Sequence, residues 1–147
     1  MVYDIWGAWS TAVGPNAPLD DTCAPSGYQA GSAFSAIQAW TSAHFPAHQI
    51  ILGTAAYGYS FHVPRSEALT SAGNIVAYPP FNASLQPTGD KWDDGPGLDQ
   101  CGVQQRAGGI FEFWGLVDAK FLNANGTVAA ANGIKYRYDN CSHTVSF

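Results

Sequence analysis

Ile50-Ile51-Leu52-Gly53-Thr54-Ala55-Ala56 is an apolar run interrupted only by one glycine and one threonine. It is short for a helix and reads as a strand buried on both faces, the condition that parallel sheets impose. Just upstream, Ala30, Ala33, Phe34, Ile37, Trp40 and Phe45, with the small Ala36, recur close to the 3.6-residue period of a helix. Pro46 is expected to stop that helix, because the residue before a proline is pushed out of the α region. Further upstream, residues 2–5 are short and apolar with Asp4 near the end, a second buried strand with a functional tip. Residues 7–27, rich in Gly, Pro, Asn, Asp and Ser, form the connecting loop. Strand, helix, strand is one βαβ unit, expected to cross over right-handed.

After Tyr57 the pattern changes. Residues 59–108 are broken by Pro64, Pro79, Pro80, Pro87 and Pro96 and by many glycines, so only short strands fit. Ile110, Phe113, Trp114, Val117 and Phe121 form a second helical stripe that closes at Asn125-Gly126. Ile134, Tyr136 and Tyr138 alternate with polar residues, as in a half-exposed antiparallel strand. The chain therefore divides into a strand-helix-strand unit, residues 1–58, and a small α+β unit, residues 59–147. Neither an internal repeat nor a low-complexity tract is present.

Composition narrows the partners. With 46% hydrophobic and 12% charged residues, the chain can bury a core and is not a disordered sequence. A net charge of −5 and a pI near 5.0 argue against nucleic acid and against an anionic membrane surface. A neutral polymer such as a polysaccharide fits better. The five Trp and seven Tyr serve equally as core or as stacking surfaces for sugar rings. No run is long enough to span a bilayer, and the first residues do not read as a secretory leader. Yet the body carries secretory marks: the glycosylation sequons Asn82-Ala83-Ser84, Asn125-Gly126-Thr127 and Asn140-Cys141-Ser142. The chain is therefore expected to belong to an extracellular protein whose N-terminal part lies elsewhere, and to act as a monomer. The cysteines are Cys23, Cys101 and Cys141, an odd set that implies one disulfide and one cysteine left over. A Cys101–Cys141 bond would tie the ends of the second unit and stabilise it by roughly 3–4 kcal/mol. Cys23 then has no evident mate.

The residues that bear chemistry cluster at the start. In Met1-x-Tyr3-Asp4-x-x-Gly7-x-Trp9, a tyrosine donor and an aspartate acceptor stand at the C-terminal end of an expected parallel strand, where α/β barrels place their sites. Trp9 adds a flat apolar face suited to a pyranose ring. Read on residues alone, a buried Tyr with a capping Asp accounts for the pattern as well. His44, His48, His62 and His143 lack metal-ligand spacing, and Asp90, Asp93, Asp94 and Asp99 form an acidic loop without a calcium ligand pattern. No Gly-x-Ser-x-Gly elbow occurs. Neither metal nor cofactor is expected.

Met1-x-Tyr3-Asp4-x-x-Gly7-x-Trp9 resembles the sixth-strand motif of glycoside hydrolase family 18, the chitinases and chitinase-like lectins. Leu52-Gly53-x-x-x-Tyr57-Gly58-x-Ser60-Phe61 resembles its seventh strand. The stretch from Gly108 to Asp118 and the end Tyr136-Arg137-Tyr138-Asp139-Asn140-Cys141-Ser142 resemble the insertion domain of fungal secreted chitinases. The resemblance implies an α/β fold: part of a TIM (β/α)8 barrel, strands six and seven, with an α+β insertion forming one wall of a chitin cleft. It implies hydrolysis of β-1,4-linked N-acetylglucosamine polymers by substrate-assisted retention, in which the substrate's own acetamide attacks the anomeric carbon. On that pattern Tyr3 and Asp4 are the catalytic-site residues: Tyr3 donates to the acetamide carbonyl, and Asp4 binds sugar hydroxyls or helps hold the scissile bond. Met1 lines the pocket, Trp9 stacks in a leaving-group subsite, and Tyr57 projects toward the substrate. Tyr59 stands where many relatives carry a basic side chain. The family's acid motif, Asp-x-x-Asp-x-Asp-x-Glu, does not occur in the chain. Two readings follow: part of a chitin hydrolase whose acid lies outside these residues, or part of a lectin that holds chito-oligosaccharides without cleaving them.

Overall fold

A computed structural model describes residues 3–147. The first regular helix, α1 (Ala33–Ser42), lies inside the span that the apolar period marks. Ser32 caps it: the Ser32 hydroxyl accepts from Ser35 N–H at 3.1 Å, while Ser35 Oγ accepts from Ser32 N–H at 2.8 Å. This reciprocal box satisfies two donors that a helix start leaves orphaned. The C-terminus ends earlier than Pro46 requires. Phe45 N–H reaches Trp40 O and His44 N–H reaches Thr41 O, both at 3.0 Å, with His44 at φ 63°. That is a Schellman closure, and the proline follows two residues beyond the left-handed position, where it is commonly found.

Among the described residues the expected parallel strands are not formed. Tyr3, Asp4 and Ile5 have no strand conformation, and residues 50–56 run on without a hydrogen-bonded neighbour strand. Ile51 is 92% exposed and Leu52 is exposed as well. A doubly buried strand needs partners on both edges and layers on both faces, and the described residues offer that segment neither. Every strand pair among the described residues is antiparallel.

Strand β1 (Tyr57–Tyr59) begins just past the apolar run; next come the short helix α2 (Arg65–Ala68) and the hairpin of β2 (Gly97–Leu98) with β3 (Gln104–Gln105). Strand β4 (Ile110–Glu112) pairs with β1 in the register Tyr57 to Glu112, Gly58 to Phe111 and Tyr59 to Ile110. Phe113 N–H to Ala56 O and Ser60 N–H to Gly109 O extend this pairing at both ends. The second helical stripe therefore splits. Its first residues are β4, and only α3 (Phe113–Asp118) is helical. The last elements, β5 (Arg137–Asp139) and β6 (Thr144–Ser146), form an antiparallel hairpin; the expected strand on Ile134, Tyr136 and Tyr138 begins only at Arg137, and its partner β6 was not expected.

Two carboxylates of the acidic loop hold β4 in place. Asp93 accepts from the backbone N–H groups of Gly89 (2.8 Å), Gly109 (2.9 Å) and Ile110 (3.1 Å). Asp90 accepts from Glu112 N–H at 2.7 Å, and its own N–H donates to Ile110 O at 2.9 Å. Such charge-assisted bonds are about twice as strong as neutral ones. They stand in for a third strand on the outer edge of β4. A side chain at Gly115 would strike the Asp90 carboxylate at 2.0 Å, so the glycine is what lets α3 sit against the clamp.

The disulfide joins Cys23 to Cys141, with a Cα–Cα distance of 5.7 Å. This corrects the expected Cys101–Cys141 pair. Cys101 sits exposed on the β2–β3 hairpin, where Asp99 Oδ1 accepts from the N–H groups of Cys101 and Val103, both at 2.9 Å. That turn faces solvent. Cys141, in the β5–β6 turn, lies against the loop before α1, because Leu19 N–H donates to Ser142 O at 2.9 Å. Tertiary packing, not proximity within the second unit, brings the partners together.

The described residues bury little large apolar side-chain volume. Trp6, Leu122 and five alanines make up the buried hydrophobic set, while Phe34, Ile37 and Trp40 on α1 are exposed. The disulfide closes a separation of 118 residues, for which loop entropy gives about 5 kcal/mol. Cys23→Ser is expected to lower unfolding stability by up to about 5 kcal/mol in denaturant melts. Cys101→Ser is expected to leave it unchanged. Asp93→Ala, which strips the acceptor from three backbone donors, is expected to cost about 2–3 kcal/mol in the same measurement.

Candidate carbohydrate-binding site

Alternate residues of a strand point to the same face, so Tyr57 and Tyr59 on β1 project together with Gly58 between them. Both hydroxyls donate to one oxygen. Asp4 Oδ1 accepts from Tyr57 at 2.7 Å and from Tyr59 at 2.8 Å. Asp4 has φ 59°, a left-handed conformation that aspartate tolerates better than most residues.

Asn16, which no motif singled out, holds Asp4 in that position. Its Oδ1 accepts from Asp4 N–H at 3.1 Å, its carbonyl accepts from Ile5 N–H at 3.2 Å, and its Nδ2 donates to Tyr57 O at 3.1 Å. One side chain thus ties the Asp4 turn to β1 across 41 residues of sequence. Its position in Gly14-Pro15-Asn16 signalled a turn, and nothing in the sequence signalled the distant partner.

Four rings run across this surface edge to face. Tyr3 meets Tyr57 at 6.1 Å, Tyr57 meets Tyr59 at 6.1 Å, and Tyr59 meets Trp9 at 5.9 Å. These spacings fall within the favourable range for aromatic pairs. Trp9 is 64% exposed and lies over Gly7, where an added Cβ would come within 2.3 Å of its ring. Tyr3 lies against Gly53, whose Cβ position is 3.1 Å from the ring. Five of the expected site residues, Tyr3, Asp4, Trp9, Tyr57 and Tyr59, are therefore assembled on one surface. Met1 lies outside the described residues.

The other candidates sit elsewhere. His44 is at the end of α1, and Tyr138 Oη pairs with His143 Nδ1 at 2.9 Å on the β5–β6 hairpin. No group of three His, Cys, Asp or Glu capable of holding a metal occurs among the described residues. Asn82, Asn125 and Asn140 are exposed on separate turns. A groove of about 1090 Å³ runs between β1, α3 and the β5–β6 hairpin, lined by Phe111, Phe113, Phe121 and Phe147; Asp4 and Trp9 are not among its lining residues.

Burial, and next the Asp4 carboxylate, pushes the Tyr59 hydroxyl up to about 12 and the Tyr57 hydroxyl higher still. Both phenols are protonated donors at neutral pH. For an acid whose pKa rises on folding, the stabilisation is complete below its unfolded value of 10.0 and fades as pH climbs through the folded value. Ultraviolet titration of the folded chain is expected to show tyrosines ionising near 12 or above. Asp4→Asn is expected to bring them only part of the way back, since burial persists. Asn16→Ala is expected to cost about 1–2 kcal/mol of stability in denaturant melts.

The model of the glycosyl hydrolases family 18 matches residues 1–147. A chitinase-like effector of Moniliophthora perniciosa is 48% identical over 145 residues, and one of Moniliophthora roreri is 49% identical over 146. Each match covers 98% of this chain but only 32% and 35% of those proteins, so the chain spans about a third of their length. The crystal structure of a chitinase from Rhizomucor miehei aligns with a TM-score of 0.75 at 27% identity, over 99% of this chain and 37% of that one. No described helix is long and apolar enough to cross a membrane. With a tyrosine–aspartate surface built from both expected motifs and a family match over its full length, the chain belongs to glycosyl hydrolase family 18.

Proposed function

We propose that this chain supplies the sugar-holding surface of a secreted, chitinase-type protein and binds β-1,4-linked N-acetylglucosamine oligomers. The observation that carries this reading is the convergence of two phenol hydroxyls on Asp4 Oδ1 beside an exposed Trp9. The bonds to Oδ1 fix the carboxylate plane, and Oδ2 is assigned to accept from a sugar hydroxyl or acetamide N–H. Tyr3 is assigned to donate to the acetamide carbonyl. Trp9 offers an apolar face for a pyranose ring. Because the groups are oriented before ligand arrives, binding is spared the cost of ordering them.

In this reading the residues of this chain hold the sugar and supply no proton to the leaving oxygen, and Tyr59 stands where many relatives carry a basic side chain. The 48% and 49% identical relatives, described as chitinase-like effectors, support a non-catalytic role. The second reading, a hydrolase, is favoured by the family match. In that case Tyr3 and Asp4 would orient the acetamide nucleophile, and a Glu from outside this chain would protonate the leaving oxygen. Residues 1–58 are assigned to the barrel of the longer protein and 59–147 to its insertion. The exposed apolar face of α1 and the bare Ile51 support further barrel elements packing there.

Titration calorimetry of the chain with N-acetylglucosamine tetramer is expected to show binding. Trp9→Ala and Asp4→Ala are each expected to weaken it by about tenfold, equivalent to about 1.4 kcal/mol. Equal affinity for cello-oligosaccharides, which lack the acetamide, would remove the N-acetylglucosamine assignment. The purified chain is expected not to turn over a fluorogenic chitobioside; turnover would overturn the non-catalytic reading.

A further inference from the structure

The three sequons are alike in sequence and unlike in structure. Asn82 and Asn125 head exposed turns of their own making: Ser84 N–H donates to Asn82 Oδ1 at 2.9 Å, and Thr127 N–H donates to Asn125 Oδ1 at 3.1 Å. Ser84 and Thr127 are themselves exposed. At Asn140 the asparagine is exposed, but the rest of its sequon is locked. Ser142 is 2% exposed; its hydroxyl donates to Asp139 Oδ2 at 2.8 Å and lies 2.7 Å from Thr144 Oγ1. Its carbonyl accepts from Leu19 N–H at 2.9 Å. Cys141 donates its N–H to Asp139 Oδ1 at 3.0 Å and is bonded through sulfur to Cys23.

Glycan transfer needs all three positions of a sequon. The transferase must grip the hydroxyl two residues on and reshape the intervening backbone around the asparagine amide. At Asn140 the hydroxyl is held and buried and the Cys141 backbone is pinned, whereas the Thr127 hydroxyl, which donates to Asn125 Oδ1 at 2.7 Å and accepts from Asn123 Nδ2 at 3.0 Å, stays at the surface. We propose that Asn140 is an N-glycan acceptor only on the reduced chain, and that closure of Cys23–Cys141 withdraws it while Asn82 and Asn125 remain acceptors. In the transfer, the Asn140 amide nitrogen attacks C1 of a lipid-pyrophosphate-linked oligosaccharide. The bond from C1 to pyrophosphate oxygen breaks, the amide releases one proton, and the lipid pyrophosphate leaves. In the competing step, the Cys23 and Cys141 thiols give two protons and two electrons to a disulfide-bearing oxidant of the secretory compartment and become one disulfide. Whichever reaction reaches the nascent chain first sets the glycan pattern.

This rests on the secretory reading, and the test separates the two. The chain is secreted from a eukaryotic cell behind a cleavable leader, and occupancy at each asparagine is read by mass spectrometry of peptides deglycosylated in heavy-oxygen water. Asn82 and Asn125 are expected to be occupied and Asn140 nearly empty. Cys23→Ala is expected to raise Asn140 occupancy several-fold with the other two unchanged, and Cys101→Ala is expected to leave it low. Should Cys23→Ala be retained in the cell, adding dithiothreitol during synthesis of the unaltered chain provides the same comparison in cell lysate. Asn140 as fully occupied as Asn82 in the oxidised chain overturns the proposal, as does an empty Asn140 under both reducing conditions. An unglycosylated chain beside a glycosylated reporter overturns the secretory reading itself.

Discussion

The short antiparallel pairing of β1 with β4 is the constraint on which the site depends. Three residues on each side form it, and so short a ladder is marginal alone. Its outer edge is held by Asp90 and Asp93, whose carboxylates accept backbone donors that a neighbouring strand would otherwise take. With β4 fixed, the register of β1 is fixed. A one-residue slip would turn Tyr57 and Tyr59 to the opposite face, away from Asp4. The acidic loop thus reaches the site through backbone geometry, without touching it.

The aromatic–aspartate surface shows how polar groups can be oriented near solvent. A carboxylate on an exposed turn would ordinarily sample many directions. Here Asn16 grips its backbone and two phenols grip its side chain. The left-handed conformation at Asp4 puts backbone strain at the position where the hydroxyls converge, and the surrounding bonds maintain it. The edge-to-face rings from Tyr3 to Trp9 set the spacing of the polar tips.

The rest of the structure is held less by a large core than by local closures. The buried apolar set consists mainly of alanines, which contribute little area each. Trp6, Tyr28 and Tyr78 stack in sequence at 5.7 and 4.4 Å, and Tyr78 donates to Asp139 at 3.1 Å. Asp139 also anchors the turn that carries Cys141. The first half of the chain is thereby fastened to the last hairpin by stacked rings, one carboxylate and one disulfide.

Periodicity and punctuation in the sequence determined α1, the loop before it and one antiparallel strand near the end, because helical spacing, proline and strand alternation are local properties. The motif residues also named Asp4 and three of the four aromatic side chains gathered around it, Tyr3, Trp9 and Tyr57, and their spacing carried the family. Three features were decided only by the tertiary structure. The apolar run at 50–56 joined no strand, since strand formation needs a partner that a sequence window does not contain. The stripe from Ile110 split into strand and helix, because Tyr57–Tyr59 and two aspartates captured its first residues. Cys141 bonded to Cys23 across 118 residues because the loop before α1 packs on the β5–β6 turn. Chain distance ranks cysteine partners by loop entropy alone, and the packing of two remote turns outweighed it.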